Sequence, residues 1–142
     1  MIDVDDRYGV DLKIEKLEVI KEFLTPKDIE LIFVSDSEIS EINSDFRGKN
    51  SPTDVLSFPL EDMPHSPLGT IVISIDTVKR VADELSHDTD DEVALLFIHG
   101  LLHLLGYDHE SDEGQMREKE SELIEKFKLP KSLIVRNDTW NT

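Results

Sequence analysis

At 142 residues the chain has the length of one domain (1–142), and its 38% hydrophobic and 33% charged residues suit a soluble globular protein with a single sizeable core. It contains no cysteine, which excludes disulfides and thiolate metal centres and leaves nitrogen and oxygen as the available ligands for a transition metal. The formal charge of −17 argues, taken alone, against a nucleic-acid partner, although Arg47 and Lys49 place two cations in an otherwise acidic neighbourhood.

Residues 1–6 lack the basic and apolar regions of a signal peptide, and the longest apolar run, Val93 to Ile98, is far too short to span a bilayer. A cytoplasmic protein is expected. Leu12, Ile14, Leu17, Ile20 and Leu24 have helical spacing, which predicts a helix from Asp11 to Leu24, stopped by Pro26. Ile29 to Val34, β-branched and aromatic, reads as a buried strand. Ser35 and Glu38 form a capping box ahead of a helix whose apolar face is Ile39, Ile42 and Phe46. After a loop at Gly48 to Pro52, Val55 to Pro59 and Thr70 to Ser74 read as strands, joined by a connection with two prolines.

Asp76 to Leu85 predicts a helix with Val78, Val81, Ala82 and Leu85 inward. Thr89 and Glu92 suggest a second capping box, opening a helix that is apolar on nearly every side and should be central and buried. A last helix spans Asp112 to Lys128, with Met116, Leu123, Ile124 and Phe127 inward. Beyond Pro130 the tail reads as frayed, although Leu133, Ile134 and Val135 could dock as an edge strand. Three strands and about five helices are read in this way, an α+β composition.

The central helix carries the most informative motif, His99-Gly-Leu-Leu-His103-Leu-Leu-Gly106-Tyr-Asp-His109. Residues four apart share one helix face, so His99 and His103 project together. Gly106 can end the helix in a left-handed conformation and turn the chain so that His109 returns to the same point. Three imidazoles meeting there would bind Zn2+ with a fourth position open. Asp108 and Glu110 flank His109, either orienting it or standing as solvated turn residues. His65 and His87 lie in polar segments and read as surface residues.

The spacing of the three histidines equals that of the metzincin peptidase helix. Those peptidases place a glutamate base directly after the first histidine, and here that position is Gly100, which cannot move a proton. A glycine there also lets a neighbouring element pack close.

With the stretch Phe46-Arg-Gly-Lys-Asn-Ser-Pro-Thr-Asp-Val-Leu-Ser-Phe-Pro59, the histidine motif resembles the YbeY family of bacterial endoribonucleases over roughly residues 28–128. The family's strand usually opens Gly-Asp, where this chain has Gly69-Thr70. The resemblance implies an α+β fold, a small, mostly parallel mixed sheet of three to four strands packed with about five helices, and a metal-dependent endoribonuclease specific for single-stranded RNA. Such an enzyme would act in ribosomal RNA maturation, including the 3′ end of small-subunit 16S rRNA, and in ribosome quality control. It implies His99, His103 and His109 as zinc ligands and Arg47 as the catalytic arginine that holds phosphate. The nucleophile would be a metal-bound hydroxide or the RNA 2′-hydroxyl. Two other readings share the platform: a metallopeptidase-like hydrolase, and a non-catalytic ribosome-assembly factor with structural zinc.

Overall fold

The computed structural model describes residues 1–6, 8–9, 13–47, 55–60, 66–86, 88–107 and 113–129. Four strands, β1 (Ile2–Asp6), β2 (Ile29–Val34), β3 (Val55–Pro59) and β4 (Gly69–Ser74), form one sheet in the order β1-β2-β4-β3. β1 and β4 both run parallel to β2, while β3 closes the far edge antiparallel to β4. Five helices accompany them: α1 (Ile14–Leu24), α2 (Asp36–Arg47), α3 (Ile75–Leu85), α4 (Thr89–Leu104) and α5 (Gln115–Lys126). The expected α+β class and the mostly parallel sheet are what the chain adopts.

Alternation along the strands sorts the core. Ile29, Leu31 and Phe33 of β2, in register with Ile71 and Ile73 of β4, share one buried cluster with α4 and with inward residues of α1, α3 and α5. The intervening residues, Val34, Val72 and Leu56, meet Ile39 of α2 on the other face. α4 is the central element: Val93, Leu95, Leu96, Phe97, Ile98, Leu101 and Leu102 are all fully buried. Each such side chain contributes about 1.5–3 kcal/mol by leaving water, so α4 needs no polar face to hold its place. Among the described residues no helix is long and apolar enough to cross a membrane.

Local chemistry places most boundaries where expected. The capping box of α2 is reciprocal: Glu38 N donates to Ser35 Oγ at 3.1 Å, and Ser35 N donates to Glu38 Oε1 at 3.1 Å. The box expected at Thr89 and Glu92 does not form. α4 already begins at Thr89, and the Asp88 backbone carbonyl accepts from the amides of Asp91 and Glu92 instead. Leu85 is exposed rather than inward, and Val81 only half-buried, because α3 ends one residue later at left-handed Ser86 and its last turn leaves the core. β1 was not anticipated as a strand; Ile2 and Val4 supply its apolar side within an acidic stretch. α5 is shorter than expected, and residues 11–12, the loop at 48–52 and the tail beyond Pro130 lie outside the described residues.

Two polar groups, half-buried Asp36 and buried Lys21, fasten the frame. At the carboxyl ends of β2 and β4, Asp36 Oδ1 accepts from Ser74 Oγ at 2.6 Å and Thr77 Oγ1 at 2.7 Å, while Arg80 Nη1 donates to Oδ2 at 3.1 Å. Partial burial works against the Asp36 charge, but these three donors outweigh it and hold its carboxyl below the usual range. At the end of α1, the fully buried Lys21 side chain donates through Nζ to the Lys27 carbonyl at 3.0 Å and to Glu22 Oε1 at 2.7 Å. Burial alone would depress this ammonium, yet the hydrogen bond and charge of Glu22 leave it raised.

Candidate metal centre

His99 and His103 lie one turn apart on the last half of α4, with rings 4.7 Å between centroids and inclined at 76°. Their Nε2 atoms face each other at 3.1 Å. Each ring is held from behind through Nδ1: His99 contacts Glu120 Oε1 at 2.6 Å, and His103 contacts the Tyr107 carbonyl at 3.1 Å. A carbonyl oxygen only accepts, so the hydrogen-bond pattern assigns the His103 proton to Nδ1 and its lone pair to Nε2.

That arrangement fits a metal ion. For bonds of about 2.0–2.1 Å in tetrahedral geometry, two ligand nitrogens stand about 3.3 Å apart, close to the spacing here. Imidazole nitrogens suit zinc, and a cation at their meeting point satisfies both. Among the described residues no group of three His, Cys, Asp or Glu side chains forms a metal-sized cluster. The third expected ligand, His109, lies outside the described residues, as do Asp108, Glu110, His65 and His87.

The turn expected to redirect the chain after His103 is present. Gly106 has φ +103°, its N–H donates to the His103 carbonyl at 3.0 Å, and the Tyr107 N–H reaches back to the Leu102 carbonyl at 3.0 Å. These two bonds make a Schellman closure, which an L side chain at Gly106 would strain. The same turn delivers the Tyr107 carbonyl to His103 Nδ1, so the motif that ends the helix also orients a histidine.

Gly100 faces the sheet. A Cβ there would stand 2.9 Å from Ile71 Cγ2 and 3.1 Å from Ser57 Oγ, and Ser57 Oγ donates to the Gly100 carbonyl at 3.1 Å. The position where the similar peptidase helix carries its base is filled by β3 and β4, so a glutamate side chain has no room. Thr70, at the place of the family's usual aspartate, donates through Oγ1 to Glu30 Oε1 at 3.0 Å. Arg47 is the final residue of α2, and its side chain lies outside what the structure describes.

Glu120 was not anticipated from sequence. It sits on α5 in the stripe Met116, Glu120, Leu123, Ile124, of which every member is buried. The available signal was a carboxylate at a helix position whose neighbours at four back and three and four ahead are all apolar.

Fold and site together define an α+β protein whose buried helix presents an oriented histidine pair beside an antiparallel edge strand. A family model described as endoribonuclease YbeY matches residues 9–128. The endoribonuclease YbeY of Nautilia profundicola is 62% identical over 138 residues, covering 97% of this chain and 99% of that protein. The endoribonuclease YbeY of Helicobacter pylori is 53% identical over 137 residues, covering 96% and 98%. The solution structure of TM1509 from Thermotoga maritima aligns with a TM-score of 0.63 and 33% identity, covering 89% of each chain. The chain belongs to the YbeY family of endoribonucleases.

Proposed function

We propose that this protein is a zinc-dependent endoribonuclease that cleaves single-stranded RNA, acting on ribosomal RNA of the small subunit in the cytoplasm. Maturation of the 16S 3′ end and the removal of defective ribosomes are the processes it would serve, with one domain carrying the whole site. The observation that carries the metal requirement is the histidine pair, whose Nε2 atoms meet at 3.1 Å while both Nδ1 atoms are engaged behind. His99 and His103, joined by His109, would hold the ion. When bound, zinc supplies positive charge at the phosphate and acidifies a water.

The chain's own groups do the rest. Arg47, with its planar pair of donors, would grip the scissile phosphate and offset the charge that grows on its oxygens. His99 and His103 stay fixed because their Nδ1 atoms are already bonded, so no side-chain reorganisation accompanies the reaction. The packing at Gly100 leaves no space for a peptidase-type base and disfavours a peptide substrate. The formal net charge of −17 repels RNA in general, so the ribosome would have to present the substrate to the site.

Protein purified without chelator, assayed for metal and for cleavage of single-stranded and duplex RNA beside His103→Ala, tests this reading. One zinc per chain and cleavage of the single strand are expected, with both absent in the variant. Equal cleavage by parent and variant would sink it. A 2′,3′-cyclic phosphate on the product assigns the attack to the RNA 2′-hydroxyl.

A further inference from the structure

We infer that Glu120 is the positioning residue that aims His99 at the metal, and that α5 is thereby part of the site. The inference rests on the zinc reading above.

His99 is the more deeply buried of the two histidines, its side chain 7% exposed, and Glu120 is 2% exposed. A buried carboxylate and a buried imidazole are each costly without a partner, and their 2.6 Å contact offsets both costs. One proton lies between Nδ1 and Oε1. With a cation at Nε2 that proton stays on Nδ1, because the Nε2 lone pair is committed to the metal, and the carboxylate then accepts without competing for the ion.

Three consequences follow for the site. The ring cannot flip to offer Nδ1, since that atom is bonded away from the meeting point of the two Nε2 atoms. The anion behind the ring makes the imidazole a stronger donor to the metal. And because Glu120 shares its helix stripe with Met116, Leu123 and Ile124, each at 0–1% exposure, its oxygen is placed by core packing and not by a flexible side chain. His103 uses a backbone carbonyl for the same purpose, so the two ligands are aimed from two different elements, the Schellman turn and α5.

Zinc affinity by competition with a chromophoric chelator is the primary test, on the full chain as parent, Glu120→Gln and Glu120→Ala. Nitrogen-detected NMR of the zinc-loaded proteins reads the His99 Nδ1 proton. The parent should show that proton slow to exchange with solvent. Glu120→Gln, isosteric and still an acceptor, should fold normally and lose about tenfold in zinc affinity. Glu120→Ala should lose up to about a hundredfold, with rapid exchange of the Nδ1 proton. If Glu120→Ala does not fold, the glutamine variant and the parent spectrum carry the decision. Affinities within twofold across the folded variants would overturn the role of Glu120 while leaving the zinc reading intact. A parent that binds no zinc overturns the zinc reading itself, and the role of Glu120 with it.

Discussion

Asp36, where α2 and α3 leave the sheet, and His99, where α4 meets α5, are both polar side chains that rely on hydrogen bonds from other elements. Asp36 receives two hydroxyls and a guanidinium, all from α3 or its N-cap, and those donors surround its carboxylate. His99 is held from behind by Glu120 through Nδ1 and turns its Nε2 toward that of His103, 3.1 Å away. In the first constellation each member completes another, and the result is a clamp between two helix starts. In the second, two ring nitrogens from successive turns of one helix meet at one point, where a bound cation would satisfy both.

The sharpest test of that contrast is His103→Ala. Zinc content should fall to background and RNA cleavage by at least about a hundredfold, since loss of a ligand exceeds loss of an orienting partner. Stability of the metal-free chain should change by only about 1 kcal/mol, because His103 is half-buried and lies outside the apolar core. A large loss of metal-free stability, read by urea melts, would make His103 a structural residue like Asp36. Gly100→Glu tests the neighbouring surface. Overpacking against Ile71 and Ser57 should lower stability by about 3 kcal/mol, and no peptide hydrolysis should appear.

Asp36→Asn should do the reverse of His103→Ala. Stability falls by about 1–3 kcal/mol as donors lose their anion, while zinc affinity and cleavage stay at the parental level. The pH dependence follows from the lowered carboxyl. An unfolded aspartate titrates near about 3.9, and the folded one lower, so the contribution of Asp36 is complete above the unfolded value. It is lost as pH falls through the folded value. The gap between parent and Asp36→Asn should therefore hold from neutral pH down to about 4 and close below it, as seen in acid-titrated melts. Ser57→Ala, at the border between frame and site, should cost about 1 kcal/mol through the lost bond to the Gly100 carbonyl and leave zinc affinity unchanged.

How far these two regions could be read from sequence differs for a physical reason. The α2 box, the β2 strand, the Gly106 turn and the pairing of His99 with His103 are local patterns, set by residues within a few positions of each other. Each was legible. The Asp36 clamp spans 38 to 44 positions and the Glu120 contact 21, so no spacing rule announces either. β1 escaped notice because its burial comes from a partner strand, with Ile2 opposite Ile29 and Val4 opposite Leu31, more than from its own composition. Leu85 misled in the other direction, since helical period marks a face but not where the chain departs from the core.

Lys21 has a use for the experimentalist. Acylating reagents attack neutral, accessible amines, and this one is both buried and held in its charged form by Glu22 and the Lys27 carbonyl. Its labelling therefore waits on the opening of the turn between α1 and β2. In a timed acetylation followed by mass spectrometry, Lys21 should modify long after half-exposed Lys16, and its rate would count the excursions of the sheet's first crossover.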